Sequence, residues 1–411
     1  MTVGKRRKGL TVASALLGGV LMLSACSGGD DSASGGDGGD SSQSKVDEAA
    51  AKKTSEAQIK ITPEDGSDNA SINNSAAVTV SKGTLTDVKM TTSEGTEVSG
   101  QISADKTSWK PTTQLERSTT YKLSAEAKDS DGRVAHENAS FTTVSPANSF
   151  IGNFTPDDGT TVGVGMPVSI NFDKAITNKA AVQKGIEVST TGGQEVACHW
   201  FNANRMDCRP EDYWKEGSTV TLKLALDGVE GAKGVFGVQQ KTVTFKIGRN
   251  QVSYVDAKTK KMKITQDGKV VRTIPISAGS PENKTYEGIM VMSEKFKETR
   301  MNGATVGFTD DDGKGEYDIK DVPHAIRLTD SGTFIHGNYW ASGAFGNTNA
   351  SHGCVGLRDV KGAWDKNAPA AWFYNRSMIG DVVVVKNSAD ATVAPDNGLN
   401  GWNMSWEKWK A

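Results

Sequence analysis

Short runs rich in Val, Ile and Thr recur along most of the chain after residue 56, and Gly, Asn and Asp separate them. β-branched residues favour strands, whereas Gly, Asn and Asp favour the turns between strands. The pattern therefore predicts a mainly β protein made of short antiparallel strands.

The first part of this β-rich region contains an internal repeat. Residues 61–66 read Ile-Thr-Pro-Glu-Asp-Gly and recur at 154–159 as Phe-Thr-Pro-Asp-Asp-Gly, and each copy closes on another strand-like run. The repeat predicts two tandem domains, at residues 57–145 and 146–249, each a small sandwich of immunoglobulin-like shape. Pattern alone does not separate a sandwich from a barrel. Neither copy contains a credible catalytic group.

A separate β domain is predicted at residues 250–387. Two of its strand-like runs flank Asp267 and Gly268, and this Asp-Gly pair is a strong signal for a tight hairpin. Residues 388–411 follow as a short segment rich in tryptophan.

The N-terminal end has a different pattern. Four basic residues at 5–8 precede an apolar stretch at 10–23, which is too short to span a bilayer comfortably and predicts an export signal. Small residues then lead to Cys26, an arrangement that resembles the lipobox of bacterial lipoproteins. We therefore expect residues 1–26 to be a lipoprotein signal with Cys26 lipidated; an ordinary signal peptide cut nearby, or a buried thiol, is the alternative.

Residues 27–56 are predicted to be a disordered tether, because the stretch 27–43 is nearly all Gly, Ser and Asp. The expected location is the outer face of the cell membrane, with the protein held there by its lipid. The formal net charge of −2 gives no reason to expect a nucleic-acid partner.

The chain has four cysteines. Cys198 and Cys208 flank a turn-rich segment that would bring them together across a hairpin, and an exported protein can keep such a disulfide. A metal site formed with His199 is the alternative, but it offers only three groups and lacks the paired spacing of structural zinc sites. Cys354 is then the odd thiol, which calls for a chemical explanation.

The candidate chemistry lies around Cys354 and His336. A thiol attacks as the thiolate, so it needs a neighbouring imidazole or an electropositive pocket to lower its pKa. His336 ends an apolar strand and can serve as that base. Gly353 allows nearby backbone N–H groups to converge on one point, where they would stabilise an oxyanion.

Two other interpretations compete with an activated thiol. One is a buried structural cysteine beside core histidines, and the other is a zinc site formed by His336, His352 and Cys354. The carboxylate expected to serve a hydrolytic zinc is missing from this motif. We therefore expect thiol chemistry that needs no metal and no cofactor.

The run Ser351, His352, Gly353 and Cys354, following His336, resembles the signature of the L,D-transpeptidases, whose catalytic fold is named after YkuD. The resemblance covers residues 250 to about 386 and implies a YkuD-type β-sandwich. The whole layout is similar to actinobacterial members with a lipoprotein signal and two immunoglobulin-like domains. In those relatives a Trp-rich tail packs back on the catalytic domain; an exposed aromatic patch is the alternative for residues 401–409.

The resemblance also implies roles for individual residues. Cys354 would be the nucleophile and His336 its base, with the carbonyl of Gly337 orienting the histidine. The expected oxyanion donors are the backbone N–H groups of Cys354 and its two predecessors, His352 and Gly353. Ser351 belongs to the motif around the nucleophile, and the side chain of His352 is expected to shape the site.

Residues 294–322 correspond to the family's mobile flap, in which Met301 and Tyr317 are candidate substrate contacts. Trp340 is expected to line the substrate path, with an exposed or core aromatic as the alternative. Gly356 departs from the family, because many relatives carry Asn or Arg there, and any side-chain hydrogen bond made from that position is absent here. Arg358 is a candidate replacement anchor for a substrate carboxylate; a surface arginine is its alternative.

The resemblance implies an enzyme that forms 3-3 peptidoglycan cross-links through a cysteine thioester and releases D-alanine from a tetrapeptide donor stem. The expected partners are donor and acceptor stem peptides and carbapenem-type inhibitors. Alternatives are an L,D-carboxypeptidase, a protein-to-peptidoglycan ligase with the same two residues, and a non-catalytic wall-binding lipoprotein. A papain-type peptidase fits less well, because its cysteine precedes its histidine.

Overall fold

The computed structural model describes residues 54–73, 75–309 and 311–411. The predicted export signal, Cys26 and nearly all of the tether lie outside these residues. The tether's predicted end at residue 56 is slightly too late, because Ser55 and Glu56 already bond to the first domain. Ser55 Oγ donates to the Arg133 carbonyl at 2.9 Å, and the Glu56 N–H donates to Asp129 Oδ2 at 2.9 Å. No helix in the described part is both long and apolar enough to cross a bilayer.

The predicted mainly β architecture is confirmed. The first sandwich consists of two four-stranded sheets, ordered β1-β3-β6-β5 and β2-β8-β7-β4. Trp109, Leu123 and Phe141 are among the buried side chains of its core. Its strands are β1 (Gln58–Thr62), β2 (Ser67–Ala70), β3 (Ala77–Ser81), β4 (Thr84–Thr92), β5 (Gly100–Ile102), β6 (Ser108–Pro111), β7 (Thr120–Lys128) and β8 (Val134–Thr143).

The second sandwich has two four-stranded sheets, β10-β12-β15-β14 and β11-β19-β16-β13, and a small third sheet, β17-β18-β9. A 3-10 turn at Pro146–Asn148 precedes it, and it contains one helix, α1 (Lys179–Lys184). Its strands are β9 (Ser149–Phe150), β10 (Gly152–Thr155), β11 (Thr161–Val162), β12 (Val168–Phe172), β13 (Ile186–Thr190), β14 (Val196–Trp200), β15 (Arg205–Pro210), β16 (Thr219–Ala225), β17 (Glu230–Ala232), β18 (Val235–Gly237) and β19 (Gln240–Ile247).

The repeated motif makes the same contact in both sandwiches. The Asp65 carboxylate accepts the Ser140 N–H at 2.7 Å, and the Asp158 carboxylate accepts the Thr244 N–H at 2.7 Å. Each motif thus pins its turn to the closing strand of its own domain. This shared contact gives a physical reason for the recurrence of the Asp-Gly pair.

The structure contains the predicted disulfide between Cys198 and Cys208. The two residues face each other in the antiparallel pair β14–β15. Cys208 is fully buried in the core of the second sandwich.

The third domain is one nine-stranded sheet ordered β23-β28-β20-β21-β22-β27-β26-β25-β24. Its two halves fold around a common core that also receives Phe373 from helix α2 (Pro369–Arg376). A 3-10 turn, Gly303–Val306, follows β24. The strands are β20 (Gln251–Asp256), β21 (Lys261–Gln266), β22 (Lys269–Ser277), β23 (Gly288–Val291), β24 (Glu294–Asn302), β25 (Asp318–Arg327), β26 (Phe334–Asn338), β27 (Val355–Arg358) and β28 (Val382–Lys386).

The hairpin expected at Asp267 and Gly268 joins β21 to β22. Both residues have positive φ, at 52° and 75°. A two-residue turn of this kind matches the twist of its strands, and Asp-Gly tolerates both positions.

The Trp-rich tail forms a 3-10 turn, Gly401–Asn403, and a short helix, α3 (Trp406–Lys410). It packs on the second sandwich as well as on the catalytic domain. Trp409 is fully buried, its Nε1–H donates to the Ala197 carbonyl at 2.9 Å, and its ring lies 4.4 Å from the Arg209 guanidinium. The tail contacts the catalytic sheet through Asn403, whose Oδ1 accepts the Ile289 N–H at 2.8 Å. The tail therefore links the two domains instead of forming an exposed aromatic patch.

Candidate active site

His336 lies on a strand, and Cys354 directly precedes the parallel strand beside it. His336 belongs to β26 and is paired with Gly356 of β27, while Cys354 immediately precedes β27. Parallel pairing needs a crossover, which the loop between these strands provides. The sheet therefore brings the two predicted reactive residues to one place.

Strand alternation separates the site from the core. Ile335, Val355 and Leu357 point into the buried core of the domain. Because side chains alternate along a strand, His336, Cys354 and the position of Gly356 share the opposite face. That face opens into a cavity lined by both reactive residues.

The His336 ring is buried and held by its neighbour's backbone. Its Nδ1 lies 2.8 Å from the Gly337 carbonyl oxygen. A carbonyl only accepts, so Nδ1 carries the proton and Nε2 of the neutral ring keeps its lone pair. Burial lowers the pKa of His336, while the bond to Gly337 and the charge of Asp359 raise it in part. His336 is therefore a neutral base near pH 7.

The Cys354 thiol is also buried, and burial raises its pKa to about 11 against an opposing hydrogen bond from the Phe334 backbone. Among the described residues, its hydrogen-bond acceptor is the Gly332 carbonyl, with S···O at 3.7 Å, and not the His336 ring. His336 is not among the groups that shift the pKa of the thiol in this structure.

The loop before Cys354 is held by side-chain and backbone bonds. Ser351 Oγ donates to the Cys354 carbonyl at 2.6 Å and accepts the Gly353 N–H at 3.2 Å. Gly353 has φ of 107°, a conformation that favours glycine. The Gly353 N–H is thus engaged within the loop, and the oxyanion role expected for the N–H groups of His352, Gly353 and Cys354 stays a prediction.

The His352 side chain contacts the segment predicted to be the flap. Its Nε2 lies 3.1 Å from Glu316 Oε2, and its ring packs 4.9 Å from Tyr317 and 5.5 Å from Phe308. Burial raises the pKa of Tyr317 to about 12, with smaller contributions from Cys354 and Glu316, so this phenol stays protonated. His352 thus ties the flap to the nucleophile loop.

Three of the four predicted substrate contacts line the cavity: Met301, Tyr317 and Trp340. Met301 packs beside Cys354. The Trp340 ring stacks on His336 at a centroid distance of 5.9 Å and remains 42 % exposed. The fourth, Arg358, is exposed and lies outside the lining, so its surface alternative is the better description.

A buried pair behind the histidine was missed by the sequence analysis. His324 Nδ1 lies 2.7 Å from Asp359 Oδ2, and both side chains are nearly inaccessible to solvent. Asp359 occupies the core side of Gly337, where a Cβ would come within 2.2 Å of Oδ2. In the sequence, only the position of Asp359 directly after β27 pointed to a role near the site. Its partner His324 comes from β25, which is distant in the sequence.

Asn338 was also missed. It lies two residues after His336 on the same face of β26 and lines the cavity. Its Oδ1 accepts the N–H groups of Trp340 and Ala341 at 3.0 and 2.9 Å. An asparagine following a His-Gly pair resembles an ordinary turn residue, so only the sheet geometry distinguishes it.

The alternative zinc site does not assemble. Within the described residues, no three His, Cys, Asp or Glu side chains converge in a way that could hold a metal ion. His352 points toward Glu316 and Tyr317 instead of joining His336 and Cys354.

Comparison with known families agrees with this geometry. Residues 250–385 match the model of the YkuD L,D-transpeptidase catalytic domain, and residues 67–230 match a bacterial Ig domain model. The Ig match includes parts of both sandwiches.

Among solved structures, the LD transpeptidase LdtMt1 in complex with imipenem is 27 % identical, with a TM-score of 0.48 over 59 % of this chain and 100 % of that one. L,D-transpeptidase 3 from Mycobacterium tuberculosis, in complex with a faropenem-derived adduct, is also 27 % identical, with a TM-score of 0.46 over 57 % of this chain and 97 % of that one.

Similarity to curated proteins extends over most of the chain. L,D-transpeptidase 2 of Mycobacterium tuberculosis (strain CDC 1551 / Oshkosh) is 33 % identical over 347 residues, which cover 84 % of this chain and 82 % of the relative. L,D-transpeptidase 5 of strain ATCC 25618 / H37Rv is 31 % identical over 340 residues, covering 81 % and 72 %. With matches of this extent and a cysteine and histidine on adjoining strands of the matched domain, the chain belongs to the L,D-transpeptidase family.

Proposed function

We propose that the protein forms 3-3 peptidoglycan cross-links through a thioester on Cys354. Sγ attacks the carbonyl carbon of the third residue of a tetrapeptide donor stem. The bond to the terminal D-alanine breaks, and the thiol proton passes through His336 to the leaving amine. The side-chain amine of a second stem's third residue then attacks the thioester and restores the thiol.

The observation that carries this proposal is the orientation of His336. The Gly337 carbonyl oxygen lies 2.8 Å from Nδ1 and fixes the proton there. Nε2 therefore keeps the lone pair that accepts the thiol proton. Cys354 directly precedes the adjoining strand and lines the same cavity. A base and a nucleophile held beside each other by paired strands meet the first requirement of covalent acyl transfer.

The neutral resting state of both groups is compatible with this role. A thiol whose pKa is about 11 is mostly protonated near pH 7, and a bound carbonyl can accept the sulfur as His336 takes the proton. We assign the oxyanion to the N–H groups of His352 and Cys354. The thioester conserves the energy of the broken amide, so the proposed reaction needs no cofactor.

β-Lactam reactivity is part of the same proposal. The relatives LdtMt1 and L,D-transpeptidase 3 have been captured with imipenem and with a faropenem-derived adduct. We propose that carbapenem-type compounds likewise acylate Cys354 here, because they present a strained carbonyl to the same thiol.

We also propose that Cys26 is lipidated and anchors the protein to the outer face of the cell membrane. The two sandwiches would then act as a spacer that carries the catalytic domain into the wall. The packing of the second sandwich against the catalytic sheet supports such a spacer, because Val252 and Val382 of that sheet join the sandwich's core.

Product analysis tests the proposed reaction. The wild-type protein and Cys354→Ala would be incubated with a disaccharide-tetrapeptide, and the products resolved by mass spectrometry. We expect free D-alanine and a 3-3 cross-linked dimer from the wild type alone. D-alanine with only free tripeptide would contradict transpeptidation and indicate a carboxypeptidase.

A further inference from the structure

Gly356 leaves an open space beside the catalytic histidine. It is paired with His336 across the two strands and lines the cavity. A Cβ at this position would meet only the Ser277 carbonyl at 3.5 Å and the Cβ and Nδ2 of Asn338 at 3.7 Å, which are ordinary contacts. Packing therefore does not require a glycine at position 356. The space left by the glycine adjoins the amide nitrogen of Asn338.

The Asn338 side chain is held in one orientation. Its Oδ1 accepts two backbone N–H groups, from Trp340 and Ala341, at 3.0 and 2.9 Å. These two bonds direct Nδ2, which only donates, away from the loop. Asn338 is 8 % exposed and lines the cavity, and the hydrogen bonds described for its side chain both involve Oδ1. Its Nδ2 is therefore placed to donate to an acceptor that enters the cavity.

We propose that Asn338 binds a carbonyl or carboxylate oxygen of the donor stem peptide and thereby takes over the task of the side chain that is missing at Gly356. The inference rests on the proposed function, since it concerns the substrate of that same site. The hydrogen-bond donor is then supplied by Asn338 of β26 instead of by a residue of β27. It reaches the cavity on the His336 side of the nucleophile.

The consequence is a substrate preference. A site that presents a fixed donor discriminates strongly against a ligand that lacks the matching acceptor, because the donor is then left unpaired. Asn338 is thus a specificity residue for the donor peptide, and its loss should raise KM more than it slows the chemistry of the thiol.

The decisive variant is Asn338→Asp, which keeps the acceptor for Trp340 and Ala341 but removes both N–H donors. Asn347→Asp is the matched control, because it makes the same charge change at an exposed position outside the cavity lining. Two quantities would be measured: KM for a disaccharide-tetrapeptide donor and the rate of Cys354 alkylation by iodoacetamide. For Asn338→Asp we expect KM to rise by at least about tenfold with alkylation within about twofold of wild type; Asn347→Asp should match wild type in both.

A KM for Asn338→Asp within about twofold of the wild-type value would overturn the proposal. So would a parallel loss of alkylation, because the effect would then be distortion of the site. A donor peptide whose terminal carboxylate is replaced by an amide shows which oxygen Asn338 binds. The rise in KM caused by Asn338→Asp disappears with this peptide if Asn338 binds the carboxylate, and persists if Asn338 binds a carbonyl. Failure of the proposed function is separate, since wild-type protein would then not turn over the donor at all.

Discussion

The Asp359 carboxylate lies directly beneath Gly337, so close that a Cβ on residue 337 would be 2.2 Å from Oδ2. Asp359 cannot move aside freely, because its Oδ2 is paired with His324 at 2.7 Å and its Oδ1 accepts the Val360 N–H at 2.8 Å. The carbonyl that orients His336 therefore rests on a fixed, buried contact between Asp359 and His324.

Gly337→Ala should consequently destabilise the protein. Overpacking of this kind costs about 1–3 kcal/mol, which would appear as a lower midpoint in denaturant unfolding. Gly356→Ala is the matched control, because its Cβ would have no contact shorter than 3.5 Å. Equal midpoints for the two variants would contradict the close packing at Gly337.

Asp359→Asn should shift the pH dependence of turnover. The charge of Asp359 raises the pKa of His336, so its removal should lower that pKa further. The acidic limb of the kcat profile, where His336 becomes protonated, should therefore move to lower pH. Maximal kcat should also fall, because the imidazolium formed by proton transfer loses the stabilisation that the Asp359 charge provides.

The control for this variant is Asp321→Asn, a carboxylate that accepts from the Tyr339 hydroxyl at 2.7 Å and does not line the cavity. It should leave the limb in place. An unshifted limb in Asp359→Asn would show that Asp359 does not act on His336.

Features set by residues close together in the sequence were predictable, whereas features set by contacts between distant residues were not. The strands, the Asp267-Gly268 turn and the disulfide depend on local pattern, so they were predictable. The meeting of His324 with Asp359 depends on the pairing of β25, β26 and β27, which residue spacing does not reveal. The raised pKa of Cys354 is likewise a product of burial, and burial is set by the whole sheet.

The buried carboxylate of Asp381 should make stability depend on pH. Burial raises its pKa to about 7 although Arg249 lies 3.1 Å away and opposes the shift. The folded-state pKa exceeds the ordinary aspartate value of 3.8, so protonated Asp381 stabilises the fold fully below that pH. The contribution is lost as pH rises to about 7. Between pH 5 and pH 8 the free energy of unfolding should fall by about 2 kcal/mol more in wild type than in Asp381→Asn. Parallel curves from denaturant titrations would refute this assignment.

The tail should contribute strongly to stability through Trp409. Trp409→Ala would empty a fully buried site and expose one face of Arg209, so we expect a loss of about 3–5 kcal/mol in thermal or denaturant unfolding. Trp364 is 73 % exposed and provides the control, with an expected change within about 0.5 kcal/mol. Similar losses in both variants would mean that the tail is not docked as described.

The central claim is that Cys354 carries the acyl group. Intact-protein mass spectrometry of the wild type after rapid mixing with a disaccharide-tetrapeptide tests it most directly, followed by peptide mapping of the adduct. We predict a mass increase equal to the donor minus D-alanine, located on Cys354 and absent from Cys354→Ala. Release of D-alanine by Cys354→Ala at the wild-type rate, or an adduct on another residue, would contradict the account.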